Sequence, residues 1–215
     1  MHRPEHVTRY QEWDFDNFRF IIHELFLYAV ASFLKYERFD AVSYLLRHRY
    51  YWEGSPSSDK MVSFSEFREL MQSLKYRNDR LKLRRISLRA DLLEQRARAS
   101  GIPFSEIMQA DFVLYMRDCF DALRHQTDQT WIHQGWWPET LLYAESHRGP
   151  FEIFARAESR EYFNRIKCLF EIEEKEDFQQ VFQAYKEQKL FIPKWEWHSV
   201  NPATVLGYEQ LATRP

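Results

Sequence analysis

The sequence predicts an all-α fold: a single helical bundle around a central apolar helix, with an irregular, aromatic-rich C-terminal tail. Three observations carry this expectation. Apolar residues recur at three- and four-residue spacing along most of the 215 residues. No stretch alternates with the two-residue period of a half-buried strand. The five glycines, Gly54, Gly101, Gly135, Gly149 and Gly207, are scattered, which argues against glycine-rich β folds. The length suits one domain, read as 14–215 behind a polar N-terminal arm over 1–13. Hydrophobic residues at 45% are enough to build a core, and disorder is not expected.

The elements follow in order. Asp14, Asp16 and Asn17 offer oxygens that can cap the orphan N–H groups of a helix running from about Asn17 to Lys35. Its residues Ile21, Ile22, Leu25, Phe26, Tyr28, Ala29 and Phe33 surround it almost completely, as on a central helix. Arg19, His23 and Glu24 interrupt the apolar run Phe18 to Leu34, which reads as core and not as a membrane span. A second helix is expected over Arg38 to Arg49, and 53–60 is a loop. Ser63 and Glu66 have the spacing of a capping box, opening a helix through Phe67, Leu70, Met71 and Leu74. Ser87 to Ala99 forms the next helix, stopped by Gly101 and Pro103. Ser105 caps a helix through Ile107, Met108, Phe112, Leu114, Tyr115 and Phe120. After a polar, then aromatic stretch over 125–137, Pro138 suits the first turn of a helix carrying Leu141, Leu142 and Tyr143. Phe151 to Phe154 reads either as a short strand or as a helix start. Helices over 159–171 and 175–189 follow, then the tail with a last short helix near Thr204 to Ala212.

Composition narrows the function. Thirty Lys and Arg against 32 Asp and Glu leave a net charge of −2, so bulk charge does not bind nucleic acid. Neither G-x-G-x-x-G nor G-x-x-x-x-G-K-[ST] occurs, which disfavours phosphate-cradling nucleotide folds. Cys119 and Cys168 cannot supply a four-ligand zinc site alone and read as reduced thiols of a cytoplasmic protein. The histidines, among them His2 and His6 in the arm, form no H-E-x-x-H pair; no metal and no cofactor are expected. The N-terminus lacks the apolar region of a secretory signal.

The strongest charge feature is 68–98, where ten basic residues face four acidic ones for a net of +6. Eight of the ten are arginines, whose planar forks suit phosphate or carboxylate. Arg77, Arg80, Arg84, Arg85 and Arg89, with Trp136 and Trp137, are the candidate partner-binding residues. The competing reading is a solvated face whose arginines pair within the domain. The segment 171–177, with a net of −4, is a candidate for that internal partner. Trp131, Trp136, Trp137, Trp195 and Trp197 can fill a core or anchor the tail, or form an interface. Asp111 and Glu24 are the best candidates for buried carboxylates, with Arg19 and Arg117 as their available partners.

Two resemblances rest on named residues. Arg117-Asp118 followed by His125 resembles the arginine–polar–histidine helix of HEPN-class ribonucleases, with a wider gap that turns the two side chains about 80° apart. It implies an RNA-cleaving alternative. The blocks Asp16 to Tyr28, Trp136 to Tyr143 and Phe151 to Phe163 are similar to an uncharacterised helical region found C-terminal to effector domains, such as TIR domains, in bacterial proteins. That resemblance implies the sensing or assembly part of a larger, defence-type protein. The function expected is therefore a non-enzymatic interaction or regulatory module, acting on a protein partner or on itself and without a membrane. Nucleic-acid binding through 77–98 is the first alternative.

Overall fold

The computed structural model describes residues 11–55, 58–68, 71–125, 135–146 and 149–215. It is helical, as expected, with nine α-helices and two small two-stranded ladders among the described residues. The helices are α1 (Asp16–Lys35), α2 (Phe39–Arg47), α3 (Gln72–Arg80), α4 (Leu88–Ser100) and α5 (Phe104–Arg124), followed by α6 (Glu152–Arg156), α7 (Arg160–Ile166), α8 (Phe178–Lys186) and α9 (Pro202–Leu206). The ladders are antiparallel: β1 (Tyr50–Tyr51) with β2 (Met61–Val62), and β3 (Lys194–Trp195) with β4 (His198–Ser199). Neither was foreseen, because two residues are too few to establish a period.

The helix enclosed on all sides is α5. Every residue from Ile107 to Phe120 is buried. The expectation for the Phe18–Leu34 helix is corrected here. One face of α1, carrying His23, Leu27, Val30 and Leu34, packs on α5. Phe18, Ile21, Ile22 and Leu25 instead stand 43 to 59% exposed along the opposite side. By length and composition alone Trp13–Lys35 would also suffice to cross a membrane; within this fold one face is core and the other open.

Local signals explain several boundaries. Ser87 caps α4 by accepting from the Ala90 N–H at 3.1 Å, and Gly101 ends it with a left-handed φ of 76°. Asn201 caps α9, and Gly207 closes it at φ 59°. The capping box at Ser63 does not form. The Ser63 hydroxyl bonds that of Ser65, and a 3₁₀ turn over Phe64–Arg68 precedes the separate helix α3. The expected helix after Pro138 is likewise a 3₁₀ segment, Glu139–Ser146. Phe151 N-caps a helix, which settles that segment against a strand. The chain end is tied down: the Arg160 N–H donates to the Arg214 carbonyl at 2.8 Å, and the Arg214 N–H to that of Glu158 at 2.9 Å.

Candidate partner-docking surface

The turn from α3 into α4 is built by its own backbone and by one asparagine. Leu81, Lys82 and Leu83 donate their N–H groups back to the carbonyls of Arg77, Asp79 and Asn78 at 3.0–3.1 Å. The Asn78 side chain then holds Arg85 from both directions, donating to its carbonyl at 2.8 Å and accepting from its N–H at 3.1 Å. Two non-glycine residues, Lys82 at φ 50° and Arg84 at φ 53°, adopt the left-handed conformation within this turn. Each such residue costs roughly 1–2 kcal/mol. The Arg85 guanidinium clamps the far side, donating to Asp91 at 2.5 and 2.9 Å and to the Tyr143 hydroxyl at 3.3 Å.

The cationic stretch divides into residues bound within the fold and residues left outside it. Arg68 donates to Glu139 at 2.6 Å and to the Trp137 carbonyl at 3.3 Å. Arg96 reaches Glu24 at 2.5 Å, and Arg98 bonds Glu94 on its own helix. Arg89 is only 6% exposed. Burial, with Arg68 beside it, lowers its guanidinium to about 10 against the pull of Glu139, Asp111 and Asp16. It belongs to the interior and leaves the surface set. Lys75, Arg77, Arg80, Lys82 and Arg84 are exposed. None of these five has a carboxylate partner among the described residues. Among them Tyr76, Leu81, Leu83 and Ile86 present apolar side chains to solvent. Leu81, Leu83 and Ile86 were missed in sequence, because Leu-Lys-Leu-Arg-Arg-Ile is too short and mixed to show which way its apolar residues turn.

The acidic segment is not the counterpart of this stretch. Glu171 instead gathers Arg47, Arg117 and Arg124 at 2.5, 2.9 and 3.2 Å. Asp177 caps its own turn by accepting from the N–H groups of Glu173 and Glu174.

Beneath α4 lies a buried polar cluster. Asp111 accepts three hydrogen bonds, from Trp136 Nε1 at 2.7 Å and from the Thr140 N–H and hydroxyl at 2.9 and 2.8 Å. Burial still pushes its carboxyl up to about 6. Asp118 takes the Trp136 N–H at 2.6 Å. Trp136 is therefore a core residue, its ring against His23 and Phe64. Trp137 is half-buried and meets Trp195 edge-on at 5.6 Å. Neither acts as an exposed anchor. Burial pushes up the Glu139 carboxyl too, but Arg68, Arg89 and the Ser87 hydroxyl outweigh it and hold the group below its ordinary value. His23 is completely enclosed, and neither ring nitrogen has a hydrogen-bond partner among the described residues. Burial, then Arg89 and Arg68, keep it well below the usual histidine range.

Asp111 and Glu24 are buried as expected, but their partners differ. Trp136 and Thr140 serve Asp111, and Arg96 serves Glu24; Arg19 pairs with Asp16. Arg117 is held by Asp121, Glu171 and the Leu169 carbonyl, with its side chain 4% exposed. Exposed His125 turns Nδ1 to the Asp121 carbonyl. The arginine of the ribonuclease pattern is thus enclosed by protein partners. Cys119 and Cys168 are both free. No three His, Cys, Asp or Glu side chains among the described residues are placed to hold a metal. Trp131, His2, His6 and most of the N-terminal arm lie outside the described residues. No protein-family model matches this chain, and neither a curated protein nor a solved structure matches it.

Proposed function

We propose that the protein is a non-enzymatic interaction module that docks an acidic protein partner on the α3–α4 turn. One observation carries this reading: five exposed cations, Lys75, Arg77 and Arg80 on α3 and Lys82 and Arg84 on the turn that follows it, have no carboxylate partner among the described residues, and that turn is pinned by Asn78 and Arg85. A solvated face needs no such pinning and no left-handed Lys82 and Arg84. The interleaved Leu81, Leu83 and Ile86 favour a partner with apolar as well as acidic groups over a bare phosphate backbone. Arginine forks orient the carboxylates, and the apolar side chains supply the area that excludes water. The resemblance to regions behind bacterial effector domains supplies a setting in which such a module senses or assembles.

The test is a photo-crosslinking residue at position 83 in the intact protein within its own cells, compared with the same residue at position 209. A protein adduct specific to position 83, lost when Arg77, Arg80 and Arg84 are all changed to Glu, supports the reading. A nucleic-acid adduct at position 83, with affinity falling steeply as salt rises, would replace it by the nucleic-acid alternative. Equal labelling at both positions would remove the docking surface altogether.

A further inference from the structure

Away from the cationic turn, two features of the surface fit each other. The first is Trp197, at the tip of the β3–β4 hairpin. It is 95% exposed, the most open large apolar side chain among the described residues. The ladder pairs Trp195 with His198, so only Glu196 and Trp197 form the turn. The hairpin base is anchored by Trp195 against Trp137 and by the Val200 N–H on the Pro193 carbonyl at 2.9 Å. The indole therefore projects from the turn of a hydrogen-bonded hairpin whose neighbouring Trp195 is packed against the domain.

The second feature is a cleft of about 150 Å³ between α1 and the β1–β2 ladder. Ile22, Tyr51, Trp52, Val62 and Phe67 form its walls. An apolar cavity of about 150 Å³ accommodates a benzene-sized ring. The Arg19 guanidinium also lines the cleft and can face a ring, and the Glu66 carboxylate can accept an indole N–H. Outside the cleft the apolar surface continues along α1 over Phe18, Ile21 and Leu25.

Charge at the two rims is matched as well. Exposed Lys194 and Glu196 flank Trp197 on the hairpin. Exposed Glu66 lines the cleft, and exposed Arg49 bonds the Met61 carbonyl at 2.6 Å on the ladder that forms one of its walls. Each rim carries one charge of each sign, so an acid can meet a base on both sides of the inserted ring.

We infer that the occupant of this cleft is Trp197 of a second copy of the chain, giving self-association. A single chain offers one projection and one cleft, built from different residues. Two copies can therefore insert reciprocally as a closed pair, or successive copies can propagate into a ring or filament. The inference is independent of the cationic turn, which takes no part in the contact. A contact centred on one aromatic side chain is small, so the association is weak and shows only at high concentration.

Sedimentation velocity of the full chain over about 5 to about 500 μM, a range that brackets weak contacts of this size, reads it directly. For the wild type the weight-average mass is expected to rise above the monomer's 26.4 kDa with concentration, and for W197A to remain at the monomer value. Ile22→Asp and Tyr51→Ala, both at exposed positions of the cleft, should have the same effect with an unchanged far-UV circular dichroism spectrum. The decisive sample mixes W197A with I22D. One has only a cleft and the other only a projection, so the mixture should form one-to-one pairs and nothing larger. A wild type that stays monomeric, assembly that survives W197A, or a mixture that fails to pair would each overturn the inference.

Discussion

Arg84 and Arg89 lie five residues apart in one basic stretch, and the fold treats them in opposite ways. Arg89 is drawn under α4 into a cluster with Arg68, Glu139, Asp111 and Asp16. Arg84 stands outside on a left-handed residue of a pinned turn, with no acid beside it among the described residues. The difference does not lie in the residue type. It lies in which element arrives from elsewhere: the 3₁₀ segment after Pro138 brings Glu139, and α5 brings Asp111, to the first turn of α4. At the α3–α4 turn the same 3₁₀ segment brings only the Tyr143 hydroxyl to Arg85, and among the described residues no carboxylate reaches Lys82 or Arg84. A buried cation must be compensated or it unfolds the site, while an exposed one is free to meet a partner.

The sharpest way to break this contrast is Glu139→Ala. It removes the carboxylate that Arg68 binds and leaves Arg68 and Arg89 facing each other in the interior. A loss of about 3–5 kcal/mol is expected from urea denaturation, as for other buried pairs deprived of one member. A loss below about 1 kcal/mol, the level of a surface pair, would mean that the cluster is hydrated and unlike the interior described above.

His23 tests the same interior by acid. Burial, Arg89 and Arg68 hold its folded-state value below that of the unfolded chain. The unfolded state therefore takes up a proton first as pH falls through about 6.5, and the contribution of neutral His23 is lost below that point. Asp111 works in the other direction. Its value, raised to about 6, means that the folded state gains relative stability as pH falls from there toward the ordinary carboxylate range. Comparing wild type with His23→Leu isolates the histidine. The stability difference should shift against the wild type by up to about 1.4 kcal/mol per pH unit below about 6.5. A difference flat between pH 7 and pH 5 would show that His23 is solvated.

The smallest effect belongs to the exposed side. Changing Arg77, Arg80 and Arg84 together to Ala should leave stability within about 0.5 kcal/mol, the range of ordinary surface substitutions. The melting transition would barely move. A larger loss would show that these side chains hold the turn together, and the docking reading would lose its basis.

Residues that act on their immediate neighbours were legible in the sequence. Ser87 and Gly101 bound α4 as read, whereas the last helix, expected near Thr204 to Ala212, instead lies at Pro202–Leu206 between Asn201 and Gly207. The apolar period of α5 is real, and Asp111 and Glu24 are buried. Ser63 misled because its hydroxyl found Ser65 nearer than a helix N–H. The apolar residues of α1 misled because periodicity shows that a face is greasy without showing whether another element covers it. The candidate site was half legible. Arg77, Arg80 and Arg84 are on the surface, whereas Arg89 and Trp136 are inside and Arg85 is bound to Asp91.

By itself the sequence determined that this chain is helical, and where most of its helices start and stop. Those choices depend on hydrogen bonds and side-chain spacing within a few residues. Only the tertiary structure decided which arginines are neutralised, which face of α1 stays open and that Trp197 projects. Those outcomes depend on carboxylates and apolar surfaces contributed from tens of residues away, and local spacing does not encode them.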